Sequence, residues 1–243
     1  MWSLGDYTAV ALLLEPCARK LAAACDLRPG MDVLDVAAGN GNFAVAAARL
    51  GATVVASDYS PRMLELGRAR TAEAGAAVEW VEGDAEQLPF ADRRFDVVAS
   101  VFGAIFAPRP ERVAGEMFRV CRPGGLVAMA NYSWQGFLGD YSKLLGRYSN
   151  PAPAVLPSPF EWGDPATVRA RVGGLASSLE IREERLAFSA DFDFWERTNA
   201  PTIALSQMLP AERYGQFRRE AEELMSPPEL ASSYVVVLAR KQR

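Results

Sequence analysis

The sequence contains no histidine among its 243 residues. This absence excludes Ser-His-Asp and Cys-His catalysis, a histidine general base and histidine-ligated metals. A side chain that moves a proton would therefore have to be Asp, Glu, Tyr or Lys. Cysteine is also scarce: Cys17, Cys25 and Cys121 form no C-x-x-C pair. An odd number of widely spaced cysteines favours reduced thiols and a cytoplasmic location.

A surplus of positive charge is missing as well. The chain has 26 Lys and Arg against 30 Asp and Glu, which gives a net charge of −4. Proteins that bind nucleic acids or anionic membranes usually carry a basic surplus, so we expect neither partner. No stretch approaches the roughly 18 consecutive apolar residues of a membrane-spanning helix. The first residues lack the basic region of a signal peptide, so none is predicted.

Apolar residues, by contrast, are plentiful enough for one large domain, because they make up 50% of the chain. Short apolar strands alternate with helical segments, which predicts a doubly wound, mostly parallel α/β sheet with helices on both faces. The predicted strands are residues 32–36, 52–57, 78–82, 95–100, 126–130, 179–188 and 233–239. The predicted helices lie within residues 7–27, 42–50, 60–74 and 110–120, from 165 onward, and between 192 and 225.

Polar and small residues cluster where the first two predicted strands end. Asp35 and Ala37 are followed by Gly39 and Gly41 at a strand-to-helix junction. Glycine lets the backbone approach a ligand closely, and the free amides of the next helix favour an anionic group. Asp58 ends the second strand, where an acid can accept both hydroxyls of a ribose. The pattern predicts a nucleotide-like ligand at the carboxyl edge of the sheet.

The kind of nucleotide depends on the surrounding residues. The spacing from Gly39 to Ala44 also fits the dinucleotide fingerprint. However, a carboxylate at Asp35 would repel a pyrophosphate, whereas it suits the ammonium and sulfonium of S-adenosylmethionine. Asp84 ends the third strand, where an acid can accept the adenine amino group. The Tyr-x-x-x-Lys arrangement of many nicotinamide oxidoreductases is absent from the sequence.

These motifs together resemble the class I S-adenosylmethionine-dependent methyltransferases, nearest to the group of ubiquinone and menaquinone biosynthesis and of bacterial natural products. The resemblance is strongest over residues 28–131 and weaker over 233–239, which would be the family's reversed last strand. Two departures are Ala37, where the family usually has Gly, and Asn40, where Thr, Ser or Cys is more usual. The resembling segments are residues 33–41, 58, 83–90, 95–98 and 119–125.

The resemblance implies a Rossmann-like sheet of seven strands, mostly parallel, with the last strand reversed. It also implies a single methyltransferase domain. Residues 1–27 would form an N-terminal lid and helix, and residues 28–130 the cofactor-binding core. Residues 131–176 would be a substrate-cap insertion, and residues 177–243 would supply the C-terminal strands and helices.

A site for S-adenosylmethionine follows from the same resemblance, with S-adenosylhomocysteine as the product and no metal. Asp58 would bind the ribose, and Asp84 the adenine edge. For Phe102 and Met63, ordinary packing in the core or between helices is the alternative interpretation. The full set of expected cofactor-binding residues is Asp35, Ala37, Gly39, Asn40, Gly41, Asp58, Tyr59, Met63, Asp84, Ala85, Ser100, Val101 and Phe102.

The acceptor is expected to lie beneath an aromatic cap. Aromatic walls suit a flat or apolar molecule and attract a sulfonium, although the same rings could form an ordinary small core. The expected acceptor-binding residues are Trp2, Phe106, Asn131, Trp134, Phe137 and Trp162. If a side chain acts as a base, the candidates are Asp6, Tyr7 and Tyr132.

The predicted function is transfer of a methyl group, by in-line displacement, to an O, N or C atom of a small molecule of bacterial secondary metabolism. The predicted oligomeric state is a monomer or a dimer. The alternative is a methyltransferase fold that transfers no methyl group. Such a protein would serve an elimination, a cyclisation or the stabilisation of a partner subunit in a biosynthetic pathway.

Overall fold

A seven-stranded sheet forms the centre of the molecule in the computed structural model, which describes residues 5–149 and 157–243. The strand order is β3-β2-β1-β4-β5-β7-β6. Strands β1 to β5 run parallel, and β7 is antiparallel to both of its neighbours. The strands are β1 Asp32–Val36, β2 Thr53–Asp58, β3 Val78–Glu82, β4 Phe95–Val101, β5 Cys121–Gly136, β6 Ala176–Phe188 and β7 Leu230–Lys241. The predicted mixed sheet with its reversed last strand is confirmed.

Helices connect the strands as the alternation of the sequence predicts, except that β3 leads to β4 through a loop. Asp164 and Asp191 cap the helices that follow them, because each carboxylate accepts a backbone N–H in the first turn. Among the residues described, no helix is both long and apolar enough to cross a bilayer. The helices are α1 Tyr7–Ala24, α2 Asn42–Arg49, α3 Pro61–Glu73, α4 Pro110–Val120, α5 Phe137–Tyr148, α6 Pro165–Val172, α7 Phe192–Thr198, α8 Ala200–Met208 and α9 Ala211–Leu224.

The fifth strand is much longer than the predicted 126–130. It extends to Gly136 because its second half pairs with β7, with Asn131 opposite Val235 and Tyr132 opposite Tyr234. The predicted turn at residues 121–125 lies at the start of the same strand, where its register against β4 shifts. The aromatic stretch after residue 130 therefore begins as a strand. Its conformation depends on pairing with β7, which is distant in the sequence.

The core fills both faces of the central strands. On β1, Val33, Leu34 and Val36 are completely buried, as expected for a parallel strand covered by helices on both sides. Burial of these strands fixes the turns that follow them at one edge of the sheet. Side chains at the carboxyl ends of β1, β2 and β4 consequently face a common space.

Candidate active site

A cavity of about 550 Å³ opens at the carboxyl edge of β1, β2 and β4. Its volume lies in the range of small-molecule sites. Helices α1, α5, α7 and α8 contribute much of the rest of the wall. We call the part next to the strand ends the cofactor end and the part between α5 and α7–α8 the acceptor end. Eleven expected cofactor residues line the cavity: Asp35, Ala37, Gly39, Asn40, Asp58, Tyr59, Met63, Asp84, Ala85, Val101 and Phe102.

The glycine turn after β1 has its tight shape because three residues adopt positive φ. The φ angles are 50° at Ala37, 57° at Gly39 and 83° at Gly41. Ala37 thus adopts a left-handed conformation, which is energetically unfavourable for alanine. A Cβ atom at Gly39 would lie 2.3 Å from the hydroxyl of Tyr7. Only glycine therefore lets the Tyr7 side chain approach the turn so closely.

Gly41 has a different role, because it does not line the cavity. A Cβ atom at this position would lie 2.9 Å from the indole ring of Trp80. The same ring would meet a Cβ atom at Gly67 at 2.1 Å. Gly41 and Gly67 therefore leave room for the Trp80 ring beneath the turn. Gly41 shapes the turn and does not line the cavity.

Two carboxylates occupy the cofactor end. Asp58 accepts hydrogen bonds from the backbone N–H of Gly39 and of Ser60, both at 2.9 Å, and so joins two turns. Asp35 accepts one bond from the N–H of Ala44 at 3.0 Å and is only 1% exposed. Burial raises the pKa of Asp35 to about 8, and the charge of Asp58 acts in the same direction. Burial also raises the pKa of Asp58.

A third carboxylate, Asp84, lies exposed on the cavity wall after β3 and accepts the backbone N–H of Glu86 at 2.9 Å. The loop around it is held by α4. Glu86 accepts the N–H of Arg109 at 2.6 Å, and Glu116 accepts the N–H of Leu88 at 2.7 Å. The motif of residues 83–90 thus contributes a wall carboxylate and a rigid support for it.

Ser100 does not line the cavity, unlike Val101 and Phe102, which follow it. Its hydroxyl accepts the N–H of Ala104 at 3.0 Å and shapes the turn that follows. Phe102 has a φ of 57°, and its ring stacks on Tyr132 with 4.4 Å between centroids. Phe102 therefore contributes both to packing and to the wall of the cavity.

The acceptor end has a wall of rings and aliphatic side chains, none of which is among the six expected acceptor-binding residues. The positions on α5 follow helical spacing, which is the signal that could have revealed this face. Within the described residues, no charged side chain lines this end, and the only charged side chains of the whole wall are three aspartates. Its main residues are Leu138, Tyr141, Ser142, Leu145, Pro159, Phe160, Phe188, Trp195, Thr198, Asn199 and Pro201.

The expected acceptor-binding residues are distributed differently from the prediction. Phe106 lines the cavity, and Trp2 lies outside the described residues. Four others are outside the wall: Asn131, Trp134, Phe137 and Trp162. Asn131 is fully buried on β5, and Trp134 stacks on Phe160 with 4.4 Å between centroids. Phe137 packs in the core against Trp195, and Trp162 is buried beneath the guanidinium of Arg171.

The three candidate bases also separate. Asp6 is exposed outside the cavity and caps α1 by accepting the N–H of Ala9 at 3.2 Å. Tyr7 and Tyr132 line the cavity. Burial raises the pKa of both hydroxyls well above the ordinary range, and the charges of Asp58 and Asp35 add to the effect at Tyr7. At neutral pH both tyrosines are therefore hydrogen-bond donors rather than bases.

Comparison with known proteins agrees with this geometry. Residues 34–129 match the family model of the methyltransferase domain. An uncharacterized protein of Mycobacterium tuberculosis is 35% identical over 256 residues, covering 100% of this chain and 93% of the relative. A demethylmenaquinone methyltransferase of Renibacterium salmoninarum is 41% identical over 109 residues, covering 45% of this chain and 44% of that protein. The chain belongs to the class I S-adenosylmethionine-dependent methyltransferases.

Solved structures support the fold of this methyltransferase. The YcgJ protein of Bacillus subtilis superposes with a TM-score of 0.67 at 19% identity, covering 93% of this chain and 99% of that chain. The [4+2]-cyclase SpnF superposes with a TM-score of 0.58 at 21% identity, covering 94% of this chain and 80% of that chain. A protein described as a cyclase thus shares the architecture.

Family membership implies S-adenosylmethionine as the cofactor, and the charges of the cavity fit a cationic molecule. Asp35, Asp58 and Asp84 line the wall, whereas no Lys or Arg of the described residues does. A positively charged ligand would favour the ionised forms of Asp35 and Asp58, whose pKa values burial raises. No group of three His, Cys, Asp or Glu within residues 5–149 and 157–243 is arranged to hold a metal ion.

Proposed function

We propose that this methyltransferase transfers a methyl group to a flat, largely apolar small molecule bound at the acceptor end. The observation that carries the proposal is the continuous cavity with two unlike ends. One end has three carboxylates, and the other is walled by rings and carries no charge in the described residues. A role in bacterial secondary metabolism is part of the proposal and rests on the resemblance to natural-product methyltransferases.

The residues that would hold the cofactor are those of the cofactor end. Asp58 would accept the ribose hydroxyls, and Asp84 would accept the adenine amino group. Asp35 and the turn around Gly39 would hold the methionine part, with Tyr7 above them. When bound, S-adenosylmethionine supplies a methyl carbon activated by a positively charged sulfur.

The acceptor end would contribute orientation and exclusion of water, which are the main needs of an in-line displacement. The stacked rings of Phe102 and Tyr132 form its boundary with the cofactor end. Tyr7 and Tyr132 would donate hydrogen bonds instead of removing a proton. The acceptor atom would then be one that attacks without an enzymic base, such as the nitrogen of an amine.

A binding experiment tests the cofactor assignment before any acceptor is known. We expect calorimetric titration to give micromolar affinities for S-adenosylmethionine and S-adenosylhomocysteine and no binding of NAD. A panel of aromatic amines, phenols and enolisable ketones then follows, with formation of S-adenosylhomocysteine as the readout. Failure to bind either adenosyl compound would contradict the proposal.

A second function is methyltransferase-like binding without methyl transfer, as in an elimination or a cyclisation. It is favoured by the likeness to the [4+2]-cyclase SpnF, which superposes over 94% of this chain. Binding of S-adenosylhomocysteine together with no turnover on the whole panel would support this second function.

A further inference from the structure

Polar side chains are few at the acceptor end, and several are already engaged in hydrogen bonds. The hydroxyl of Tyr141 lies 2.7 Å from that of Thr202. Thr198 donates its hydroxyl hydrogen to the carbonyl of Phe194 at 2.8 Å. Ser142 has a hydroxyl, which can donate or accept and therefore does not select between ligand groups. The remaining polar side chains therefore decide which hydrogen-bonding groups of a ligand fit this end.

Asn199 is the first of these groups. It precedes α8, and its Oδ1 accepts from the N–H of Thr202 at 3.2 Å and from the hydroxyl of Thr202 at 2.8 Å. Because the amide oxygen is fixed by the helix, the Nδ2 group is left for another partner. An amide Nδ2 can only donate.

Trp195 on α7 is the second group. Its ring is 3% exposed and packs against Phe188, Phe137 and Tyr141. Its Nε1 is buried and has no hydrogen-bond partner in the described part of the chain. A buried N–H without a partner is unfavourable unless a ligand or a water accepts from it. The indole N–H, like the amide of Asn199, can only donate.

Charge limits the ligand further. The three aspartates lie at the cofactor end, and the described residues of the acceptor end include no charged side chain. An anionic acceptor would be buried there without a counter-ion, which is costly. A neutral molecule needs no counter-ion, and an oxygen that accepts hydrogen bonds matches the two N–H donors.

We infer that the acceptor is an uncharged ring compound with a carbonyl or ether oxygen, and that Asn199 Nδ2 and Trp195 Nε1 donate to this oxygen. The inference rests on the proposed function, since it treats this end of the cavity as the acceptor site. Both residues bind and orient the acceptor, and neither moves a proton.

The test uses three bicyclic probes that differ in one group: the ketone α-tetralone, its parent hydrocarbon tetralin, and the anion of tetrahydronaphthoic acid. Each is titrated into the full chain saturated with S-adenosylhomocysteine. We expect the ketone to bind about 3- to 10-fold more tightly than the hydrocarbon, the size expected for a net hydrogen bond. The carboxylate should bind more weakly than either. Equal affinities for ketone and hydrocarbon, no binding of the ketone, or preference for the carboxylate would overturn the inference.

Two conservative variants then locate the donors. Asn199→Ser retains a residue that caps α8 well but removes the amide donor. Trp195→Phe retains a ring but removes the N–H. In each variant the preference for the ketone over tetralin should shrink. This ratio is the readout because Trp195→Phe also removes apolar contacts that both probes share. If both variants retain the full preference, the assignment of these two donors is wrong.

The cofactor is measured separately, so that two failures can be told apart. S-adenosylhomocysteine is titrated first, into the parent chain and both variants. Its failure to bind the parent would count against the proposed function. Normal binding of S-adenosylhomocysteine without a preference for the ketone would count against the present inference alone.

Discussion

The two ends of the cavity are built on different physical principles. The cofactor end lies at the carboxyl edge of the sheet and uses backbone turns and buried carboxylates, with Asp58 tying two turns together. The acceptor end lies between helices and uses packed rings, such as Trp195 stacked on Phe188. We expect the first end to select by charge and by the shape of the backbone, and the second by apolar contact and a few N–H donors. Substitutions at one end should therefore leave the other nearly unchanged.

The largest expected effect is at the cofactor end. Asp58→Ala should weaken binding of S-adenosylhomocysteine about 100-fold, because it removes the acceptor of two backbone N–H groups and the proposed ribose ligand. Asp84→Ala should weaken binding of S-adenosylhomocysteine about 10-fold, since the residue is exposed and supports less of the loop. Calorimetry measures both, with Asp164→Ala, a cap of α6, as the control. If both variants retained micromolar affinity, the assignment of this end as the cofactor site would be wrong.

A smaller effect concerns stability and pH. Burial raises the folded-state pKa of Asp35 to about 8, so the protonated form is favoured when the chain is folded. The stability that this provides at low pH is lost as the pH rises through about 8. Without cofactor, Asp35→Asn should therefore gain about 2 kcal/mol in free energy of unfolding over the parent between pH 6 and pH 8. Urea unfolding at both pH values measures the difference.

The control for this experiment is Asp191→Asn, which changes an exposed aspartate but keeps a residue that caps helices. Its stability relative to the parent should not change in the same way with pH. An Asp35→Asn variant that follows the pH dependence of the parent would show that the buried carboxyl is not the cause.

A charge placed at the acceptor end should separate the two ends directly. Ser142→Arg brings a cation into the uncharged wall, so turnover of an acceptor found in the panel should fall at least about 10-fold. The affinity for S-adenosylhomocysteine should change less than about 2-fold, because the cofactor end keeps its carboxylates. The control Ser206→Arg lies on α8 outside the wall. If cofactor binding fell as much as turnover, the two ends would not be independent.

The smallest expected effect is at the boundary between the ends. Tyr132→Phe should lower kcat less than about 3-fold, because the hydroxyl is a neutral donor and the ring still stacks on Phe102. A general base would instead contribute about 100-fold or more. Steady-state kinetics from pH 6 to pH 9 distinguish these cases. If kcat fell 100-fold and no longer changed at basic pH, Tyr132 would be a base after all.

The cofactor end could be predicted from the sequence because its residues are close to strand ends. Asp35 and Asp58 end neighbouring parallel strands, and such ends meet at one edge of a sheet whatever the rest of the chain does. Ser100 and Gly41 show the limit of this reasoning. Both have the expected place along the chain, but one supports a turn and the other makes room for Trp80.

The acceptor end could not be predicted, because distant segments form it. Helix α5 and helix α8 meet through the Tyr141–Thr202 hydrogen bond, which joins residues 61 positions apart. Aromatic residues are also ambiguous, since a ring is buried equally well in a core or in a cavity wall. Trp162 and Trp195 are both buried, yet only Trp195 lines the cavity.

The sequence by itself determined the alternation of strands and helices, the glycine turn, the carboxylates at the strand ends and the exclusion of histidine chemistry. These features are local or follow from the parallel order of strands. The tertiary structure decided the length of β5, the raised pKa values of Tyr7 and Tyr132 and the residues that line the acceptor end. Each of these depends on burial and on pairing between residues far apart in the chain, which a local pattern does not encode.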